Sequence, residues 1–411
     1  MAVPTKREIL SFSPMNLGDR EELPRYRRKA FAAIKKAAQT GPIVSITGLR
    51  RVGKTTLIKQ LLSETKGAFY FSFDEKKHAN PETLRRVIDV FLEEGEKPTI
   101  ALDEIFRVED WAGILKRYHD LKIAKFIVSG SSSLMVKKGV ESLSGRMLEH
   151  YLQPLQFDEY LELAGKGPQA IEPGGIFKAR RRFEEELSDF LIKGSFPETL
   201  WMDEKTAAQY IRASTVEKIV FDDIPSTFRI EHPSKLYDLL RLCATNSGRL
   251  FTEVNCAEAL QMSRHAVSDY LLYLNRAYLA DVVYPAGSFQ KALKKQKKIF
   301  VKTASIYNSL AENPSAGQAA ETAVYDKLSC GKTYFYRDAQ KREVDFIARV
   351  PIEVKYQSAI VSSDISNLLY YMKQCRKNTG MVVTRDLFDE KTVDGRKIRY
   401  VPLDIFLLSG P

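Results

Sequence analysis

Residues near the N-terminus have the types and the spacing of a phosphate-binding loop. Positions 48–55 read Gly-Leu-Arg-Arg-Val-Gly-Lys-Thr, between the apolar run 43–47 and a helical pattern that follows. Glycines let backbone N–H groups wrap closely around a phosphate, and the helix adds its positive N-terminal end. We expect Lys54 to reach the β- and γ-phosphates and Thr55 to hold Mg²⁺. The residues predicted to bind the nucleotide are Gly48, Arg50, Arg51, Val52, Gly53, Lys54, Thr55 and Thr56.

Two further apolar runs end in residues that suit the same chemistry. The run 97–102 is followed by Asp103 and Glu104, as in a Walker B strand. We expect Asp103 to complete the Mg²⁺ shell through water and Glu104 to polarise the attacking water. The run 125–128 leads into Ser129 and Ser131. This strand is expected to lie between the two motif strands, so either serine is a candidate sensor of the γ-phosphate.

Arginines near these motifs are candidates for binding the charge that develops during phosphoryl transfer. Arg146 is the best candidate for an arginine finger, acting in cis or on a neighbouring subunit of an oligomer. Arg50 and Arg51 lie inside the loop and face either the nucleotide or acidic groups of a partner. A structural or solvated role is the alternative for each arginine. The predicted catalytic set is Lys54, Glu104, Ser129 and Arg146.

Composition indicates a folded, basic protein of two to four domains. The 411 residues include 63 Lys and Arg against 52 Asp and Glu, a net charge of +11. This excess favours a polyanionic partner such as DNA, and a generally basic protein is the alternative. The four cysteines have neither metal-site nor disulfide-framework spacing. Without a long apolar stretch or a signal-peptide pattern, we expect a soluble cytoplasmic protein.

The N-terminal half alternates strand and helix patterns, which predicts an α/β fold with a parallel sheet covered on both faces. We assign 1–155 to a P-loop ATPase core of AAA+ type and 156–230 to a small helical lid. The Gly- and Pro-rich stretch 165–175 is expected to be an exposed loop within that lid.

Residues 231–290 have the pattern of a winged helix-turn-helix. Three short amphipathic helices are expected, the second capped by Thr252 and the third by Ser263. The third helix would present the candidate DNA-binding residues Arg264, His265 and Ser268. A wing at 280–284 is followed by a lysine run, Lys291, Lys294, Lys295, Lys297 and Lys298. The alternatives are a packing spacer for the domain and a solvated face for the lysine run.

Residues 291–411 contain a helix with Glu321 and three short strands that carry Asp345, Glu353 and Lys355. Glu353 and Lys355 share a face of their strand because side chains alternate with period two. Two carboxylates and a lysine on a sheet can hold Mg²⁺ and a water for phosphodiester hydrolysis, and Glu321 can add an oxygen. These four residues form a candidate nuclease site. Surface ion pairs are the alternative.

The motifs in order resemble those of prokaryotic, notably archaeal, AAA+-type ATPases whose C-terminal region of unknown function has a restriction-endonuclease-like PD-(D/E)XK fold. They are Thr47-Gly-Leu-Arg-Arg-Val-Gly-Lys-Thr-Thr, Leu102-Asp-Glu-Ile, Ser129-Gly-Ser-Ser-Ser, Leu143-Ser-Gly-Arg, Gly194-Ser-Phe-Pro-Glu, Glu343-Val-Asp-Phe and Ile352-Glu-Val-Lys. The resemblance implies ATP hydrolysis with Mg²⁺ and a nuclease-like domain at 291–411. Two segments depart from the family: Lys298-Ile-Phe-Val-Lys-Thr-Ala-Ser stands where relatives usually carry a strand ending in Asp-Thr-Gly, and Lys193-Gly-Ser replaces a paired glycine.

The leading functional hypothesis is therefore an Mg²⁺-dependent ATPase that acts on DNA through the winged helix and the nuclease-like domain. One alternative is a regulatory ATPase switch that controls protein assembly and carries a catalytically silent C-terminal scaffold. A third is a constitutive nuclease that uses ATP only for its structure.

Overall fold

A computed structural model describes residues 3–13, 23–131, 143–166, 183–228, 230–288, 290, 292 and 295–410. The chain forms two compact units, Met1–Pro154 and Leu155–Pro411. Among the described residues, no helix combines the length and the apolar character that crossing a membrane requires. The predicted boundaries at 155, 230 and 290 stay predictions.

The first unit is built on a parallel sheet in the order β2-β3-β4-β1-β5. Its strands are β1 (Ile43–Thr47), β2 (Ala68–Ser72), β3 (Thr99–Asp103), β4 (Lys125–Gly130) and β5 (Met147–Tyr151). The predicted α/β fold with a parallel sheet is confirmed. Strand β4 lies between β1 and β3, as expected, so the segments that follow these three strands emerge at one edge.

The helices of this unit are α1 (Lys6–Ser11), α2 (Phe31–Gln39), α3 (Lys54–Ser63), α4 (Pro81–Glu94) and α5 (Trp111–Asp120). Helix α4 illustrates how local sequence sets an element: Asn80 caps it by accepting from the Thr83 amide, and Pro81 occupies its first turn. Leu84, Ile88 and Phe91 recur at helical spacing and are buried in the core that also contains β2 and β3.

The second unit begins with a helical segment. Its elements are α6 (Phe157–Leu163), α7 (Glu184–Lys193), a 3-10 turn (Pro197–Thr199), α8 (Glu204–Tyr210), two π-helical stretches (Ile211–Glu217 and Ile219–Asp223) and α9 (Ile224–Thr227). The predicted helical character is confirmed here, whereas the role as a lid stays a prediction. Most of the loop predicted at 165–175 lies outside the described residues, which exclude 167–182.

Three helices and a small sheet follow. The helices are α10 (Pro233–Thr245), α11 (Glu253–Leu260) and α12 (Arg264–Arg276); the strands are β6 (Leu250–Phe251), β7 (Ala280–Val283) and β8 (Lys297–Val301). Thr252 and Ser263 cap α11 and α12 as predicted. The sheet is antiparallel in the order β6-β8-β7, so its central strand lies beyond residue 290. Lys291 and Lys294 of the predicted lysine run lie outside the described residues.

The remaining chain forms a six-stranded mixed sheet in the order β13-β14-β12-β11-β10-β9. Its strands are β9 (Tyr334–Arg337), β10 (Glu343–Ile347), β11 (Pro351–Lys355), β12 (Thr379–Thr384), β13 (Asp389–Val393) and β14 (Arg396–Pro402). The helices here are α13 (Ala304–Leu310), α14 (Ala316–Leu328), α15 (Ser366–Gln374) and α16 (Leu403–Ser409). The predicted helix with Glu321 and the three predicted strands correspond to α14, β9, β10 and β11.

Close packing of β4 against the turn after β3 generates a first prediction. A Cβ on Gly130 would overlap the ring of Phe106, which is itself buried against Trp111. We expect Gly130→Ala to lower the free energy of unfolding by about 1–3 kcal/mol through overpacking, measured by denaturant titration. Gly95→Ala is the control because its Cβ would meet Phe69 at an ordinary 3.6 Å. Equal effects of the two substitutions would contradict this account.

Candidate functional site

The predicted phosphate-binding loop joins the carboxyl end of β1 to the start of α3. Gly48 has φ +151° and Gly53 has φ +92°, both in the region that L side chains rarely adopt. A Cβ on Gly48 would also collide with the carbonyl oxygen of Leu152. Both glycines are therefore required by the backbone path, and α3 begins directly at Lys54 with its N-terminal N–H groups at the loop.

The side chain of Lys54 lies buried against the loop. Its Nζ donates to the carbonyl oxygens of Gly48 at 2.9 Å and Leu49 at 2.8 Å. These bonds hold the ammonium at the loop whose backbone amides are expected to cradle phosphate. The position agrees with the expected contact of Lys54 with the β- and γ-phosphates, which stays a prediction.

Three hydroxyl groups converge on the carboxylate of Asp103 at the end of β3. Thr55 Oγ1 donates to Oδ2 at 2.6 Å, Tyr70 OH donates to Oδ2 at 2.9 Å, and Ser129 Oγ donates to Oδ1. Burial, reinforced by the negative charge of Asp103, raises the pKa of Tyr70, so the phenol keeps the proton that it donates. Loop, Walker B strand and sensor strand are thus joined at one carboxylate.

This oxygen-rich group suits Mg²⁺, which prefers carboxylate and hydroxyl oxygens and keeps several waters. Thr55 and Asp103 already lie within hydrogen-bond distance of each other, beside the glycine loop. Both residues predicted as metal ligands therefore fit the ion. Tyr70 was missed by the sequence analysis, because its strand pattern indicates burial but not a carboxylate partner.

Glu104 has φ +52°, an uncommon left-handed conformation directly after the Walker B strand. Its Oε2 accepts from the backbone amide and the hydroxyl of Ser131, both at 3.3 Å. The two candidate sensor serines therefore have different contacts: Ser129 bonds to Asp103 and Ser131 bonds to Glu104. Sensing of the γ-phosphate by either serine stays a prediction.

Arg146 lies at the wrong end of the sheet for an arginine finger in cis. Its carbonyl accepts from the amide of Ile43, the first residue of β1, whereas the phosphate loop follows the last residue, Thr47. Four residues of a strand span roughly 13 Å. The guanidinium instead pairs with Asp120, Nε to Oδ1 at 2.7 Å. These contacts do not support the cis role, and the arginine-finger role, in cis or on a neighbouring subunit, stays a prediction.

The two loop arginines, Arg50 and Arg51, are half-buried and exposed, respectively, and Arg51 has φ +67°. Their predicted contact with nucleotide, and that of Val52 and Thr56, stays a prediction.

A different arginine, Arg28, contacts the loop directly: Nη1 donates to the carbonyl of Val52, and Nη2 donates to that of Gln153 at 2.6 Å. Local sequence offers no signal for this contact, since Arg28 is one of several basic residues in a polar stretch.

A second charged cluster lies in the C-terminal unit and includes the candidate nuclease residues. The ammonium of Lys298, on β8, lies 3.1 Å from Glu321 Oε1, 2.9 Å from Glu343 Oε1 and 3.1 Å from Asp345 Oδ1. Burial by itself lowers the pKa of Lys298, but the three carboxylates outweigh it and the net shift is upward. Lys298 is charged and buried, so the interpretation of the lysine run as a solvated face is wrong for this residue.

Glu353 and Lys355 adjoin this cluster and form the predicted pair, Nζ to Oε1 at 2.8 Å. Burial, with the charge of Asp345, raises the pKa of Glu353 to about 8; burial also raises the pKa of Glu321 to about 7. The structure therefore brings the four predicted residues into one neighbourhood. It adds Lys298 and Glu343, which the sequence analysis had not assigned to the site.

The cluster does not fit a divalent metal. Two of the predicted ligands, Glu321 and Asp345, already lie against the ammonium of Lys298 together with Glu343, and the third, Glu353, pairs with Lys355. The described part of the chain contains no group of three or more His, Cys, Asp or Glu side chains arranged to hold a metal ion. Lys298 therefore competes with a metal ion for two of the predicted ligands, and the nuclease site itself stays a prediction.

The candidate DNA-binding residues Arg264, His265 and Ser268 are all exposed on α12. Arg264 Nε lies 3.2 Å from Glu253 Oε2, and Lys297 Nζ lies 3.2 Å from the other oxygen of the same carboxylate. The Glu253 carboxylate, at the start of α11, thus contacts two cations, one of which is Arg264 in the first turn of α12.

Comparison with known proteins supports the N-terminal assignment. Residues 40–161 match the family model of an AAA domain, whereas 184–317 and 316–406 match models of domains of unknown function, DUF8612 and DUF4143. The first unit therefore combines the parallel sheet and glycine loop of a P-loop NTPase fold with a match to an AAA domain. The match to DUF4143 covers β9 to β14, and it assigns no activity to the second cluster.

Relatives that match most of the chain are also known. The uncharacterized protein MJ1637 of Methanocaldococcus jannaschii is 26% identical, with 89% of this chain and 84% of that protein covered. The uncharacterized protein MJ1544 of the same organism is 25% identical over 74% of this chain and 71% of that protein. Among solved structures, a variant of RuvB from Thermotoga maritima covers 74% of this chain and 99% of its own at 16% identity and a TM-score of 0.32.

The contact between Arg28 and the phosphate loop generates a second prediction. Arg28→Met removes two charge-assisted hydrogen bonds to carbonyls, one of them buried, so we expect the free energy of unfolding to fall by about 2 kcal/mol and nucleotide binding to weaken. Denaturant unfolding and titration with a fluorescent ATP analogue measure these effects. The control is Arg27→Met, which removes a surface ion pair with Glu64 and should cost less than about 1 kcal/mol. Similar losses in both variants would show that Arg28 does not support the loop.

Proposed function

We propose that this chain is an Mg²⁺-dependent ATPase. The observation that carries the proposal is the convergence of Thr55, Tyr70 and Ser129 on Asp103 beside a glycine loop. Catalysis of phosphoryl transfer depends on positioned charge rather than on covalent chemistry, and a carboxylate held beside the glycine loop supports binding of a phosphate-bound cation there. The match of 40–161 to the AAA domain model supports the same conclusion.

Each residue has a role that follows from its position. Lys54 neutralises charge on the β- and γ-phosphates, and Thr55 and Asp103 hold Mg²⁺, which supplies further charge neutralisation when bound. Glu104 orients the attacking water and accepts its proton, while Ser131 holds the Glu104 carboxylate through two hydrogen bonds. Ser129 and Tyr70 position Asp103. ATP is proposed as the nucleotide, although the loop itself reads phosphates and not the base.

We further propose that the ATPase acts on DNA through a winged helix formed by α10 to α12 and β6 to β8. The order of three helices with an antiparallel sheet β6-β8-β7 supports this interpretation, as do the caps at Thr252 and Ser263. Arg264, His265 and Ser268 would meet base edges or phosphates from α12. The net charge of +11 supports a polyanionic partner.

A specific observation favours one alternative for the C-terminal domain. In the nuclease hypothesis Glu321, Asp345, Glu353 and Lys355 hold a metal ion and a water. Lys298 stands among the carboxylates of that set, which favours a catalytically silent scaffold. ATP binding and hydrolysis would then control DNA contact or protein assembly without cleavage.

The ATPase assignment is tested by two substitutions with different expected results. Lys54→Ala should lose both nucleotide binding and turnover, because the phosphate charge is no longer neutralised. Glu104→Gln should keep binding but lower kcat by roughly 10²–10⁴-fold, the usual contribution of a general base. Phosphate release and binding of a fluorescent ATP analogue measure the two steps. Glu109→Gln, an exposed acid in the segment that follows Glu104, is the control and should behave as wild type. Turnover by Lys54→Ala at the wild-type rate would end the proposal.

The DNA interaction is tested by the salt dependence of binding. We expect Arg264→Ala to weaken duplex DNA binding and to reduce the slope of log K against log salt by about 1 unit. Fluorescence anisotropy over a range of salt concentrations measures both. Lys373→Ala removes an exposed cation from a different helix and should leave binding unchanged. If the wild-type chain retains no DNA at low salt and DNA does not change its ATP turnover, the regulatory switch is the better description.

A further inference from the structure

The most unusual charged group in the second unit is the ammonium of Lys298. Only 2% of its side chain is exposed, yet it lies within 3.1 Å of carboxylate oxygens from Glu321 on α14 and from Glu343 and Asp345 on β10. An ammonium has three protons to donate, and each of these oxygens can accept one. The three carboxylate oxygens can therefore accept all three protons of the Lys298 ammonium.

The carboxylates are held in place by other groups as well. The second oxygen of Asp345 accepts from the Val354 amide at 2.9 Å, and the second oxygen of Glu343 lies 2.7 Å from Arg337 Nη1. The second oxygen of Glu321 faces Gly248, where an added Cβ would come within 2.6 Å of it. The three side chains therefore converge on one point from fixed directions, and Lys298 Nζ occupies that point.

The backbone of Lys298 is held in place by its neighbours in the sheet. Its strand, β8, is the centre of the three-stranded sheet, and the backbone of Lys298 pairs with Leu250 on one side and with Val283 on the other. The ammonium also lies 5.8 Å from the centre of the Phe335 ring, at distances typical of a cation–π contact. The positive charge among the carboxylates is therefore carried by a residue of β8, a strand that is paired on both sides.

We infer that Lys298 is a permanent internal cation that occupies the place a divalent metal would need, so that the carboxylate cluster of the wild-type chain binds no metal ion. The inference deepens the silent-scaffold alternative and does not depend on ATP hydrolysis. It explains why residues suited to a metal-dependent nuclease meet in space without forming a metal site. Removing the ammonium should convert the cluster into a divalent-cation site.

The test uses Mn²⁺ alone with the full chain in the absence of nucleotide, and electron paramagnetic resonance measures the free ion. Lys298→Met keeps much of the side-chain volume and removes the charge. We expect this variant to gain one Mn²⁺ site with a Kd on the order of 10⁻⁴ M, as for weak carboxylate sites. Adding Asp345→Asn to the same chain should abolish the gain. The wild type should show no binding that depends on Asp345.

Lys302→Met is the matched control. Lys302 is also buried and lies beyond the same strand, and its Nζ contacts Asp281 Oδ2 at 3.2 Å and the Ser329 hydroxyl at 3.2 Å. Removing it leaves no set of three converging carboxylates, so no Mn²⁺ site should appear. A site gained equally in both variants would overturn the inference, since it would reflect loss of buried charge in general.

Lys298→Met leaves three carboxylates without their shared cation and can fail to fold. Thermal unfolding with and without Mn²⁺ covers this case, because Mn²⁺ should raise the Tm of the variant and leave that of the wild type unchanged. The wild-type chain gives an independent test. If it binds one Mn²⁺ that Asp345→Asn loses and Asp103→Asn keeps, the inference is overturned. A folded Lys298→Met chain that gains no Mn²⁺ also overturns it. Neither result alters the ATPase test, which measures turnover at the first unit.

Discussion

Burying a charged side chain is costly unless groups on other segments bond to it, and this constraint shapes both clusters of the chain. In the first unit the buried charge is the carboxylate of Asp103, whose partners come from α3, β2 and β4. In the second unit it is the ammonium of Lys298, whose partners come from α14 and β10. Each cluster therefore fixes the relative positions of several elements.

The two clusters satisfy the constraint by different chemistry. Hydroxyl groups bond to the Asp103 oxygens but carry no charge, so the negative charge of the carboxylate remains available to a cation. In the second cluster the positive charge that compensates the carboxylates is the ammonium of Lys298, a side chain of the protein itself. Both sites are rich in oxygen ligands, but in the second the ammonium of Lys298 lies among them. A carboxylate cluster therefore indicates a metal site only when the nearby cations are also known.

Much of the fold could be predicted because its signals are local. The capping hydroxyls of Thr252 and Ser263 act within three residues, and the glycines of the phosphate loop reflect φ values at their own positions. The strand order around β4 followed from the motif class. The pairing of Glu353 with Lys355 followed from the period of a strand.

The site residues that were missed depend instead on partners far along the chain: Tyr70 meets Asp103 across the sheet, and Arg28 reaches the Val52 carbonyl. Arg146 was selected for its proximity to a motif, which does not indicate which end of β1 the residue approaches.

Lys298 shows why dividing this chain into consecutive modules is incomplete. Its backbone belongs to the central strand of the three-stranded sheet, while its charge belongs to carboxylates on α14 and β10. Separating these segments would leave the ammonium without its carboxylates, and the carboxylates without their shared cation, until water reached them; breaking a buried pair costs about 3–5 kcal/mol. The three-stranded sheet and the carboxylates of α14 and β10 are therefore coupled through this side chain. A shift of β8 would act on the carboxylate cluster, because the strand backbone and the ammonium belong to the same residue.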